Sequence, residues 1–97
     1  MPALVNPLES HFLLKMREKL ATAYNEYQDA IARLSRVSIH DVNYRDLLID
    51  MRMAEIKVNG LKMDVKNEAD RLCEVAIGAL NKERKAFNAS IDSNFEI

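Results

Sequence analysis

At 97 residues the chain has room for one core, because a domain this short buries only about two thirds of the surface its unfolded form exposes. Hydrophobic residues make up 48% and charged residues 30%, with two Gly and two Pro, a balance that favours helix over sheet and argues against disorder. The net charge of −1 leaves no surplus of Lys and Arg to displace counterions from a phosphate backbone, so nucleic acid starts as a poor candidate partner.

The opening Met1 to Pro7 lacks the basic and apolar regions of a secretory signal. The longest apolar run, Val75 to Leu80, is far short of the roughly 20 residues that cross a bilayer. Cys73 is the single cysteine, which rules out an internal disulfide framework. These features predict a cytoplasmic chain with no membrane span, although export by a pathway that reads no cleavable signal stays open.

The first helix is expected over about 7–36. Asn6 can cap it, Pro7 suits the first helical position, and Glu9 completes a capping box. Apolar residues then fill every a and d position of a heptad: Leu13, Met16, Leu20, Ala23, Tyr27, Ala30, Leu34 and Val37. Phe12, Tyr24 and Ile31 widen that stripe toward the breadth a globular bundle needs. A turn is expected over about 37–41, where Ser38 and Asp41 are the two candidate caps for the next helix.

A second, longer helix is expected over about 42–87, with a seam at Tyr44, Leu47, Met51, Ala54, Val58, Leu61 and Val65. The seam then steps by four to Ala69 and continues through Leu72, Ala76 and Leu80, a stutter that relaxes left-handed supercoiling. Asn59-Gly60 could end a helix and turn the chain into a three-helix bundle, because Gly costs about 1 kcal/mol relative to Ala in a helix interior. The seam passes through that dipeptide in phase, which favours one continuous helix of about 65–70 Å against about 45 Å for the first. Such a mismatch would leave Leu72, Val75, Ala76, Ile77 and Leu80 without an intramolecular cover. From the end of that helix into the tail, 88–97, Phe87, Ile91 and Phe95 recur at i, i+4 and i+8 and could prolong the helix or dock it.

The long helix carries a second apolar stripe, Ile49, Met53, Ile56, Gly60 and Met63, on the face opposite the first. A two-helix hairpin can bury only one of those faces, so the other reads as an association surface. In a three-helix fold with a buried central helix, both would be core.

Chemistry is sparse. His11 and His40 have no second His or Cys at ligand spacing, so neither a metal nor a cofactor is expected. His40-Asp41 has no accompanying nucleophile motif, and Cys73 beside Leu72 reads as a small packed residue. Two isolated glycines make no phosphate loop. The run Lys82-Glu83-Arg84-Lys85 is mildly basic and supports one alternative, a dimeric regulator holding phosphates near Lys82, Arg84 and Lys85.

In organisation the chain resembles the small helical-hairpin components of type III secretion systems, the needle or inner-rod subunits and their cytoplasmic co-chaperones. A first helix, a short polar turn, a longer second helix and the ending Ser90-Ile91-Asp92-Ser93-Asn94-Phe95, similar to the Ile-x-x-Asn-Phe close of needle subunits, carry that resemblance. Val37 to Val42 lacks the Pro-containing, Asn/Asp-rich turn of those proteins, and no functional residue carries over.

The sequence thus predicts an all-α helical hairpin completed by oligomerisation. Its expected function is non-enzymatic assembly or adaptor work, by self-association or by shielding a partner helix, with a secretion apparatus as the setting the resemblance implies. The expected protein interface is Ile49, Met53, Ile56 and Met63, together with Leu72, Val75, Ile77, Leu80, Phe87, Ile91 and Phe95.

Overall fold

The computed structural model describes residue 8 and residues 10–75 and 81–97, with side chains except those of residues 74 and 75. These residues form three helices and no strand: α1 (His11–Ser35), α2 (Tyr44–Val75) and α3 (Asn81–Asn94). The molecule is a rod of 64 × 19 × 15 Å. Its radius of gyration of 17.4 Å exceeds the roughly 13 Å of a compact chain of this length.

Helix α1 begins at His11, later than the expected start near residue 7, because Ser10 is its cap. The Ser10 backbone is extended and its hydroxyl accepts a 3.2 Å hydrogen bond from the Leu13 amide, which satisfies one of the free donors of the first turn. Asn6, Pro7 and Glu9 lie outside the described residues. The heptad seam faces inward as expected: Leu13, Leu20, Ala23, Tyr27 and Ala30 are buried, and Met16, Leu34 and Val37 are half-buried.

In the connection over 36–43 both candidate caps bond within the turn, and neither caps α2, which starts at Tyr44. The Ser38 hydroxyl accepts from the His40 amide, and the Asp41 carboxylate accepts from the Asn43 amide at 2.8 Å while its carbonyl accepts from Tyr44. Such local bonds favour a turn over helix. The chain reverses there, and α2 lies antiparallel along α1, with Lys57 near Glu26 at 3.5 Å. Val58, Val65 and Ala69 are fully buried against Leu13, Leu20, Ala23 and Tyr27.

Helix α2 runs through Asn59-Gly60 without a break. The exposed Gly60 is tolerated because the seam on the opposite side holds the helix, and a Cβ built there would meet nothing within 4 Å. The expected helix to residue 87 is nevertheless divided, with α2 ending at Val75 and α3 starting at Asn81. Helix α3 lies antiparallel on the C-terminal part of α2, so Leu72, expected to lack a cover, is covered by this chain itself, while Ala76, Ile77, Leu80 and the side chain of Val75 lie outside the described residues. Ile91 is fully buried, with Phe87 and Phe95 half-buried beside it, and Leu72 and Cys73 belong to the same core.

Polar contacts fix the register of α3. The Arg84 guanidinium and the Asn88 amide both donate to Asp70 Oδ1 at 3.0 Å, and Lys66 Nζ donates to Asp92 at 2.9 Å. At its far end α3 reaches α1: Phe95 meets Tyr24 edge to face at 5.4 Å between ring centroids, and the Tyr24 hydroxyl donates to the Glu96 carbonyl at 2.9 Å. The Arg17 guanidinium lies 5.4 Å over the Phe87 ring, a cation–π geometry that favours the docked helix.

Candidate interaction surface

Helix α2 positions the most distinctive surface of the molecule. At roughly 100° per residue, the buried set Val58, Val65 and Ala69 lies on one side, and Ile49, Met53, Ile56, Gly60 and Met63 fall on the opposite side. There Ile49 is 46% exposed, Met53 65%, Ile56 71% and Met63 63%. A compact fold that buries both stripes is therefore not what this chain forms. The ridge spans about 21 Å along the helix and presents a contiguous, exposed apolar row, the kind of surface that marks a candidate binding site.

The remaining expected interface residues divide. Phe87, Ile91 and Phe95 do not join the ridge, because they dock α3 onto the intramolecular core, as does Leu72. Ile77, Leu80 and the side chain of Val75 lie outside the described residues. Phe12 and Ile31, expected to widen the buried stripe, are exposed, since the rod offers them no third layer. Ile39 and Val42, exposed at the tip of the α1–α2 turn, belong to neither helical stripe, and periodicity does not find them. Their signal is two branched apolar residues in an otherwise polar turn.

Charges flank the ridge. On one side stand Asp50, Lys57, Asp64 and Arg71, spaced seven residues apart and alternating in sign. On the other stand Arg45, Arg52 and Lys66, with Asn59 among them. Arg52 pairs with Glu55 at 3.4 Å, and Arg71 pairs with Glu68, whose carboxyl the Arg71 hydrogen bond holds below the usual range. Asp50 and Asp64 have no ion-pair partner among the described residues.

Other groups are occupied structurally. Arg84, the centre of the basic run, is turned back to Asp70 and Asn81, which leaves Lys82 and Lys85 as the outward cations of that run. Burial pushes the Asp70 carboxyl up, but Arg84 and Asn88, with the charge of Lys66, outweigh it and hold the group below its ordinary value. Asp92 is lowered mainly by its hydrogen bond from Lys66. Cys73 is a free, buried thiol whose pKa burial raises, so it is a weak nucleophile.

Among the described residues no three His, Cys, Asp or Glu side chains are grouped to hold a metal, and no helix is long and apolar enough to cross a membrane. An open groove between α1 and α2, opposite α3, is walled by Lys15, Lys19 and Lys57 over Ala23 and Leu61. It converges no catalytic pair. No family model, curated protein or solved structure matches the chain.

Proposed function

We propose that this chain is a non-enzymatic assembly or adaptor protein that acts by helix–helix packing through the outward face of α2, by self-association or by shielding a partner helix. The observation that carries this reading is the solvent-facing row of Ile49, Met53, Ile56 and Met63 on a helix whose other side is already covered. About two and a half side chains of Ile and Met remain to be buried, worth about 4–7 kcal/mol per copy. Association costs of about 4–15 kcal/mol offset much or all of what a pair of such faces gains, so the pairing is expected to be weak and concentration-dependent.

A place in a secretion apparatus is the setting that the resemblance of the sequence to needle and rod subunits suggests. The hairpin of α1 and α2 would supply the rigid rod, and α3 would act as an internal clasp. A nucleic-acid regulator is the weaker reading, since Arg84 is committed to Asp70.

The test is a double substitution, Ile56→Glu with Met63→Glu, followed by light scattering behind a sizing column and circular dichroism. Both residues are exposed, so helicity should persist while self-association, or binding of a copurifying partner, is lost. Association that persists unchanged in the double variant would refute the reading.

A further inference from the structure

We propose that the partner on the α2 ridge is a second copy of this chain, bound antiparallel so that Met53 packs on the partner's Ile56. This inference rests on the reading of the ridge as an association surface. The ridge residues 49, 53, 56, 60 and 63 alternate steps of four and three, the a and d spacing with which a helix matches another helix of the same kind. A two-fold pairing uses the same patch on both copies.

The flanking charges choose among the alignments. In an antiparallel pair the flank that follows each d position meets its own equivalent on the partner. With Met53 against the partner's Ile56, Ile49 lies over the partner's Gly60, where open space receives it. Asp50 then stands beside the partner's Lys57, and the symmetry repeats that pair. Asp50 has no ion-pair partner of its own among the described residues, and Lys57 reaches only Glu26, at 3.5 Å and largely in solvent. Arg45 beside the partner's Lys66 is the one unfavourable pair, at the ends of the overlap.

The competing alignments fare worse. Sliding one heptad, to Met53 against the partner's Met63, sets Asp50 beside the partner's Asp64, Lys57 beside the partner's Lys57 and Arg52 beside the partner's Lys66. Each of these five charges then meets its like. A parallel, in-register pair places Arg52 beside the partner's Lys57 and Lys66 beside the partner's Arg71, against a single favourable contact from Arg45 to the partner's Asp50. Sliding a second heptad the same way, to Gly60 against the partner's Met63, satisfies the charges but sets Met53 against the partner's Asp70 and Ile56 against the partner's Asn67.

Charge substitutions read out by sedimentation equilibrium of the full chain separate these cases. Lys57→Asp alone and Asp50→Lys alone should each raise the dimer Kd by about threefold to tenfold, because two exposed pairs turn from complementary to like-charged. Asp50→Lys with Lys57→Asp together should restore the wild-type value, and Asp64→Lys should leave it unchanged. Tighter association of the Lys57→Asp variant would establish the parallel pair, tighter association of Asp64→Lys the alignment of Met53 with Met63, and weaker association of Asp64→Lys the alignment of Gly60 with Met63; each overturns the proposal. A wild-type chain that stays monomeric to about millimolar concentration overturns the second copy as occupant. The wider reading then fails as well only if Ile56→Glu with Met63→Glu leaves binding to every copurifying chain untouched.

Discussion

Replacing Ile91 by Ala tests the clasp that α3 makes. Ile91 is 0% exposed and sits between the α1 and α2 seams, so its truncation removes buried methylenes and leaves a cavity, a change that costs about 2–5 kcal/mol. Against a total stability of about 5–15 kcal/mol for a chain this size, that loss is large. It should fall mainly on α3, since a 14-residue helix has little stability apart from its packing. With 25 and 32 residues in the other two helices, unfolding of α3 should remove about a fifth of the helical signal at 222 nm before the main transition. Circular dichroism across a urea series measures this, with the exposed Ser93→Ala as a control expected to change little. A single transition at the wild-type midpoint with full starting helicity would refute the docking of α3 through Ile91.

The carboxylates of Asp70 and Asp92 are both held below their ordinary values, so their contribution is complete above the unfolded value of about 4 and is lost as pH falls through the lowered folded values. Urea midpoints should therefore be level between about pH 7 and 5 and decline below about 4; Asp70→Asn with Asp92→Asn should flatten part of that decline, by a small amount because solvent reaches both side chains. Gly60→Ala should stabilise the dilute chain by about 0.5–1 kcal/mol, raising Tm by roughly 3–6 °C, since the added methyl meets nothing; a lower Tm would show that the helix is interrupted there.

Periodicity made the α1–α2 pairing readable: the residues at heptad spacing from Leu13 to Val37 and from Tyr44 to Val65 are the ones that face each other. The ridge was readable for the same reason, because Ile49, Met53, Ile56 and Met63 keep helical spacing out of phase with the seam. The end of α2 was not. No proline interrupts 76–80, and Leu72, Ala76 and Leu80 continue the seam in phase. Phe87, Ile91 and Phe95 form a stripe too narrow to declare whether it docks on its own chain or on another, and that choice depends on the reversal. The Ser10 cap was hidden by a stronger capping pattern upstream.

Methionine oxidation reports most directly on whether the α2 ridge is open in the single chain and closed on association. Met53 and Met63 are exposed, whereas Met16 is half-buried on the packed face of α1, and sulfoxide formation follows exposure. In dilute protein treated with peroxide, Met53 and Met63 should oxidise well ahead of Met16. On raising the concentration until the measured mass increases, they should become protected while Met16 does not change. Protection of Met53 and Met63 in the dilute monomer, or undiminished reactivity while the mass rises, would contradict the account.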